Sequence, residues 1–114
     1  MNWSRWLSIP YRKGGRTESG CDCWGFTRLI LVEERGVDLP AWQGSRTLTE
    51  MERSRFREIS GPEPYCIVLM AHLGNTIHTG VWVDGTILHM TNLGPACQPA
   101  VRLERFIVGY YVPL

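Results

Sequence analysis

At 114 residues, with 44% hydrophobic and 20% charged side chains, the chain has the length and composition of one globular domain, residues 1–114, with a modest core; a disordered chain is excluded. A net charge of +1, with the arginines scattered rather than striped, argues against nucleic-acid binding through a broad basic field. No apolar run approaches the ~20 residues of a membrane-spanning helix, so no membrane insertion is expected.

In chain order, residues 1 to 20 read as an irregular lead-in with two tryptophans and the turn-rich stretch Pro10-Tyr11-Arg12-Lys13-Gly14-Gly15, where two glycines let the backbone pass close to something. Trp24 to Arg35 reads as a helix with apolar residues around most of its circumference, Asp22 as its N-cap, Gly36 as its C-terminal cap and Pro40 preventing continuation. Val37 to Ser45 is a loop. Thr47 to Glu58 reads as a second, more polar helix, with Thr49 and Glu52 fitting a capping box. Beyond the breaker Ser60-Gly61-Pro62-Glu63-Pro64 the character changes to strands: Tyr65 to Ala71, Thr76 to Val83, Thr86 to Thr91 and Phe106 to Val112, with Val101 to Leu103 as a short extra one. Asp84-Gly85 is a hairpin turn signal between the second and third of these. Helices first and an antiparallel sheet afterwards define an α+β fold.

Of the four cysteines, Cys21, Cys23, Cys66 and Cys97, the second sits where chemistry is expected. It falls in the first turn of the helix capped by Asp22, and Gly25 keeps the space beside it open. Free N–H groups and the partial positive charge of a helix N-terminus favour a thiolate there. Of the three histidines, His72, His78 and His89, two lie on the Asp84-Gly85 hairpin. A two-residue turn puts them almost opposite each other if there is a small bulge, and diagonal if there is none. If the helix packs its N-terminus at that end of the sheet, Cys23, His78 and His89 converge. Cys23 would then be the nucleophile, His78 the group that takes its proton and later protonates the leaving amine, and His89 the partner that fixes the His78 tautomer.

Three motifs in this order resemble the NlpC-type cysteine endopeptidases: Tyr11-Arg12-Lys13-Gly14-Gly15, then Gly20-Cys21-Asp22-Cys23-Trp24-Gly25-Phe26, then His78-Thr79-Gly80-Val81-Trp82-Val83 followed by Leu88-His89-Met90. The resemblance covers roughly residues 9 to 112. It implies a papain-like fold, N-terminal helices packed on a small antiparallel sheet. It also implies cleavage of peptidoglycan stem peptides after γ-D-glutamate and before a diamino acid. Tyr11 would supply a hydroxyl to the oxyanion hole beside the Cys23 backbone N–H, or else pack its ring at a turn. Asp22 would bind the free amine of the stem peptide in addition to capping the helix, and Trp24 would border the substrate.

Asp22-Cys23-Trp24-Gly25, with Trp24 in place of the commonest serine, resembles the variant found in tail-assembly proteins of bacteriophages and related injection particles. That implies tail-tip or hub proteins as partners. No secretory signal is recognised, so the expected route is synthesis in the host cytoplasm and delivery to the cell wall in a virion or tail-like particle. One stretch departs from the family: Pro62-Glu63-Pro64-Tyr65-Cys66 stands where Gly-Asp is common. The rival in another class is a structural tail-tip or plug protein that keeps the fold without turnover. Cys-x-Cys lacks the spacing of a zinc pair and no second pair exists, so neither a metal nor a cofactor is expected.

Overall fold

The helix that starts at Cys23 dominates the helical layer of the computed structural model, which describes residues 1–37, 55–71 and 77–114. The chain begins with a short helix, α1 (Trp3–Leu7), and a two-stranded ribbon, β1 (Arg16–Thr17) and β2 (Gly20–Cys21), and enters α2 (Cys23–Arg35). There follow β3 (Phe56–Ile59), β4 (Ile67–Ala71), β5 (Ile77–Val83), β6 (Thr86–Thr91), β7 (Gly94–Pro99), a one-turn helix α3 (Ala100–Leu103) leading through a 3₁₀ turn, and β8 (Ile107–Pro113). Strands β3 to β8 form one antiparallel sheet in the order β3-β8-β4-β5-β6-β7. The expected α+β arrangement of helices on an antiparallel sheet is what the chain adopts.

Alternation along the strands splits the core into two layers. Ile67 and Leu69 of β4, Val81 and Val83 of β5, and Leu88 and Met90 of β6 face α2, joining Phe26, Ile30 and Leu31 of the helix. Val68, Met70 and Ile87 point the other way and pack under Ala100, Leu103, Phe106 and Tyr110. Helix α2 is held at both ends: Asp22 Oδ1 accepts from the Gly25 N–H at 2.7 Å, and the Gly36 N–H donates to Val32 O at 3.0 Å.

The lead-in is more ordered than the sequence suggests. Its five-residue helix is too short to show a periodicity and is fixed by tertiary contacts. Trp6 is fully buried edge-on against Phe26, and its Nε1 donates to Glu34 Oε1 at 2.7 Å. The turn after it wraps the head of α2: Cys21 N–H donates to Pro10 O at 3.1 Å, Arg12 N–H to Cys21 O at 3.0 Å and Asp22 N–H to Gly15 O at 3.2 Å. The glycine pair does approach another backbone. A Cβ on Gly25 would overlap the Gly15 carbonyl oxygen, and one on Gly15 would overlap the Gly20 carbonyl. Only glycine at these positions lets the turn lie against the helix.

Three sequence expectations need correction. Phe56 to Ile59 is not the end of a helix but an edge strand paired with β8 from Phe56–Pro113 to Ile59–Tyr110; residues 47–54 of that expected helix, with Thr49 and Glu52, lie outside the described residues, as do Pro40 and His72. Val101 to Leu103 is helical, not a strand. Gly94–Pro99, left unassigned from sequence, is a six-residue strand. Its Gly94, Pro95 and Pro99 disguise it, and they are tolerated because β7 is the outermost strand, where a missing N–H need not face a neighbour.

Candidate active site

The site is built where the N-terminus of α2 meets β5. Cys23 is half-buried at the first position of the helix. Its carbonyl oxygen accepts from Thr79 Oγ1 at 3.2 Å, and the same hydroxyl lies 3.1 Å from Thr27 Oγ1, one turn along α2. Thr79 and Thr27 are both fully buried, so these bonds lock the helix head to the strand. The Thr79 and Trp24 donors beside the thiol favour its ionised form. Thr79 is thus the β5 residue that touches Cys23, and His78 precedes it in the chain.

The Cys23 thiol does not titrate low at rest, as a helix N-terminus alone would suggest. Burial pushes it up and the Asp22 carboxylate adds to this; the donors from Thr79 and Trp24 offset only part. Cys21, two residues earlier, is fully buried, and its thiol is pushed up to about 11, chiefly by burial.

The two hairpin histidines meet. Asp84 and Gly85 form the two-residue turn, both at positive φ, and the strands pair Val83–Thr86, Trp82–Ile87 and Val81–Leu88. The histidines lie just beyond these pairs, toward the open end of the hairpin. His78 Nε2 lies 2.7 Å from His89 Nδ1, with the rings edge to face. Gly80 makes this possible: a Cβ there would sit 3.1 Å from His89 Cβ and 2.6 Å from Ile87 Cγ2. His89 is 6% exposed, and burial depresses its pKa below the ordinary 6.5, so the ring is neutral at neutral pH. Its Nε2 lies 2.6 Å from Gln98 Oε1 on β7.

The remaining expected site residues are Asp22, Trp24 and Tyr11. Asp22 is the N-cap, and its Oδ1 is also 2.6 Å from Arg16 Nη1, so the carboxylate has an internal cation as partner. The Trp24 ring is 4% exposed and packs edge-on against Phe56, in the core rather than along an open surface; what it turns toward Cys23 is its backbone N–H. Tyr11 lies alongside Cys21 through its backbone, with the residue 38% exposed. Cys66 is buried beneath the sheet and Cys97 exposed on β7; all four cysteines are free.

Sequence reasoning missed Thr79, Gly80, Arg16 and Gln98. Alternation from His78 would have turned Thr79 toward the helix, and the hairpin register would have put Gly80 against His89. Nothing pointed to Gln98, because the strand that carries it was not recognised.

An α+β fold with a thiol at a helix head and an imidazole pair on the adjoining strands has the parts of a nucleophilic thiol centre. The NlpC/P60 family matches residues 8–98. The fold superimposes on the crystal structure of the NlpC/p60 domain of the peptidoglycan hydrolase SagA with a TM-score of 0.68, covering 97% of this chain and 92% of that one at 19% identity. Protein P54 of Enterococcus faecium is 26% identical over 110 residues, 96% of this chain but 19% of its own length. Murein DD-endopeptidase MepS/Murein LD-carboxypeptidase of Escherichia coli K12 is 40% identical over 38 residues, 33% of this chain and 20% of that protein. The chain thus belongs to the NlpC/P60 family, and it spans about a fifth of the length of these two curated relatives.

Proposed function

We propose that this chain is a cysteine peptidase that hydrolyses peptidoglycan stem peptides, at the bond between γ-D-glutamate and a diamino acid, with Cys23, His78 and His89 as its working residues. The observation that carries this is the hydrogen-bonded pair of His78 on β5 and His89 on β6, with Thr79, next to His78 in the chain, holding Cys23. Family membership and the murein endopeptidase among the similar proteins support the substrate class.

A thiol held protonated at rest needs a base at the moment of attack. His78 takes the Cys23 proton as the sulfur adds to the peptide carbonyl. The oxyanion receives the Cys23 backbone N–H and the Tyr11 hydroxyl, donors that typically contribute ~3 kcal/mol. Collapse breaks the C–N bond, and the leaving amine takes the proton from His78. Water then loses a proton to His78 as its oxygen attacks the thioester. The acid departs and the thiol is restored. His89, neutral and buried, holds the His78 ring through this cycle. The Arg16 contact to Asp22 leaves that carboxylate a shared partner for a stem-peptide amine, and Trp24 acts through its backbone.

The Asp22-Cys23-Trp24-Gly25 variant supports delivery by a phage tail or tail-like particle, made in the host cytoplasm and docked on tail-tip or hub proteins. Release of soluble fragments from dye-labelled cell walls tests the enzyme. Wild type should release dye, and Cys23→Ala and His78→Ala, folded by circular dichroism, should not. Equal release by all three would rule the peptidase out; no release by any would favour a structural tail-tip role.

A further inference from the structure

Three residues on three neighbouring strands share one sheet face. They are His78 on β5, His89 on β6 and Gln98 on β7; His89 and Gln98 are offset diagonally, since His89 pairs directly with Ala96 and Gln98 with Ile87. Their polar atoms form a continuous line: His78 Nε2 to His89 Nδ1 at 2.7 Å, and His89 Nε2 to Gln98 Oε1 at 2.6 Å. The last atom is an amide oxygen. It has no hydrogen and can only accept.

We infer that Gln98 is a positioning residue that acts through His89, its side-chain oxygen selecting the one pair of tautomers in which His78 can work as a base. This rests on the proposed roles of Cys23 and His78. An acceptor at Gln98 Oε1 requires the proton of His89 to sit on Nε2. A neutral His89 then has a lone pair on Nδ1, so the hydrogen in the 2.7 Å contact belongs to His78 Nε2. His78 in turn keeps its lone pair on Nδ1, the nitrogen that must receive the thiol proton. Burial of His89 keeps it in the neutral form on which this logic depends. Remove the acceptor, and His89 is free to carry its proton on Nδ1. It would then donate to His78 Nε2, the His78 proton would move to Nδ1, and the base would be blocked. The device is a tautomer relay, with the choice made at the sheet edge and read out at the thiol.

Gln98 is half-buried, so leucine fits its place without an acceptor, and glutamate keeps an acceptor oxygen there. The experiment is long-range ¹H–¹⁵N spectroscopy of histidine-labelled protein at pH 8, with His89 assigned by its loss in His89→Gln. Wild type and Gln98→Glu should show His89 protonated on Nε2, and Gln98→Leu should move the proton largely to Nδ1. Turnover should fall about tenfold in kcat with KM unchanged in Gln98→Leu, and return to within about threefold of wild type in Gln98→Glu; a packing role would leave the tautomer where it was. An unchanged His89 tautomer in Gln98→Leu, or an Nδ1 proton in Gln98→Glu, overturns the relay. Should Gln98→Leu not fold, the Gln98→Glu spectrum and rate decide. The spectra need no substrate, so a wild type without turnover would sink the peptidase while leaving the relay to be judged on its own signal.

Discussion

Replacing Gly80 with alanine should damage stability and catalysis together, because this position separates the two strands that carry the histidines. The added Cβ would lie 2.6 Å from Ile87 Cγ2, 3.1 Å from His89 Cβ and 3.2 Å from Leu88 O. Carbon atoms in contact prefer about 3.5–4.0 Å. Ile87 cannot swing aside: it is fully buried, and a β-branched side chain is stiff at χ1. The strands must therefore part by roughly 0.5–1 Å, an overpacking that costs about 1–3 kcal/mol. At about 4–8 °C per kcal/mol for a domain near this size, the melting temperature should drop by roughly 4–24 °C. The same parting stretches the 2.7 Å His78–His89 bond, so kcat should fall at least tenfold with KM little changed. The assay is thermal unfolding by circular dichroism with stem-peptide turnover beside it. Gly61→Ala, where a Cβ would meet nothing within 4 Å, is the control. A Gly80→Ala protein melting within 1 °C of wild type at full rate would refute the account of this seam.

Other outcomes follow from the same geometry. The His89 pKa is depressed in the folded protein, so below the ordinary 6.5 the unfolded chain takes up the proton first. Stability should be full above that pH and decline as pH falls through the window beneath it; His89→Gln should flatten that part of the melting-temperature profile. Cys21, buried with its thiol near 11, should resist iodoacetamide at pH 8 until the chain is unfolded, whereas exposed Cys97 should label at once, as read by peptide mass spectrometry. Tyr11→Phe should lower kcat by roughly one to two orders of magnitude if the hydroxyl serves the oxyanion; an unchanged rate would remove Tyr11 from the mechanism.

What the sequence made legible is what local rules control. Asp22 and Gly36 mark both ends of α2, Asp84-Gly85 specifies the hairpin, and the hairpin register brings His78 and His89 within reach. What stayed hidden depends on tertiary context. Helix α1 is held by Trp6 against Phe26 and Glu34 rather than by any repeat of its own, and β3 exists because β8 pairs with it. Strand β7 carries residues that argue against a strand except at a sheet edge, and Gln98 was lost with it. The Cys23 thiol was misjudged for a similar reason: the helix terminus is visible in sequence, but the burial that opposes it is not.

The most direct test of the central claim is mass spectrometry of muropeptides after incubation with the wild-type chain and with Cys23→Ala. New termini at the bond between γ-D-glutamate and the diamino acid, formed by the wild type alone, are the expected result. The same termini from both proteins, or from neither while both remain folded, would contradict the account of Cys23 as the nucleophile of a peptidoglycan peptidase.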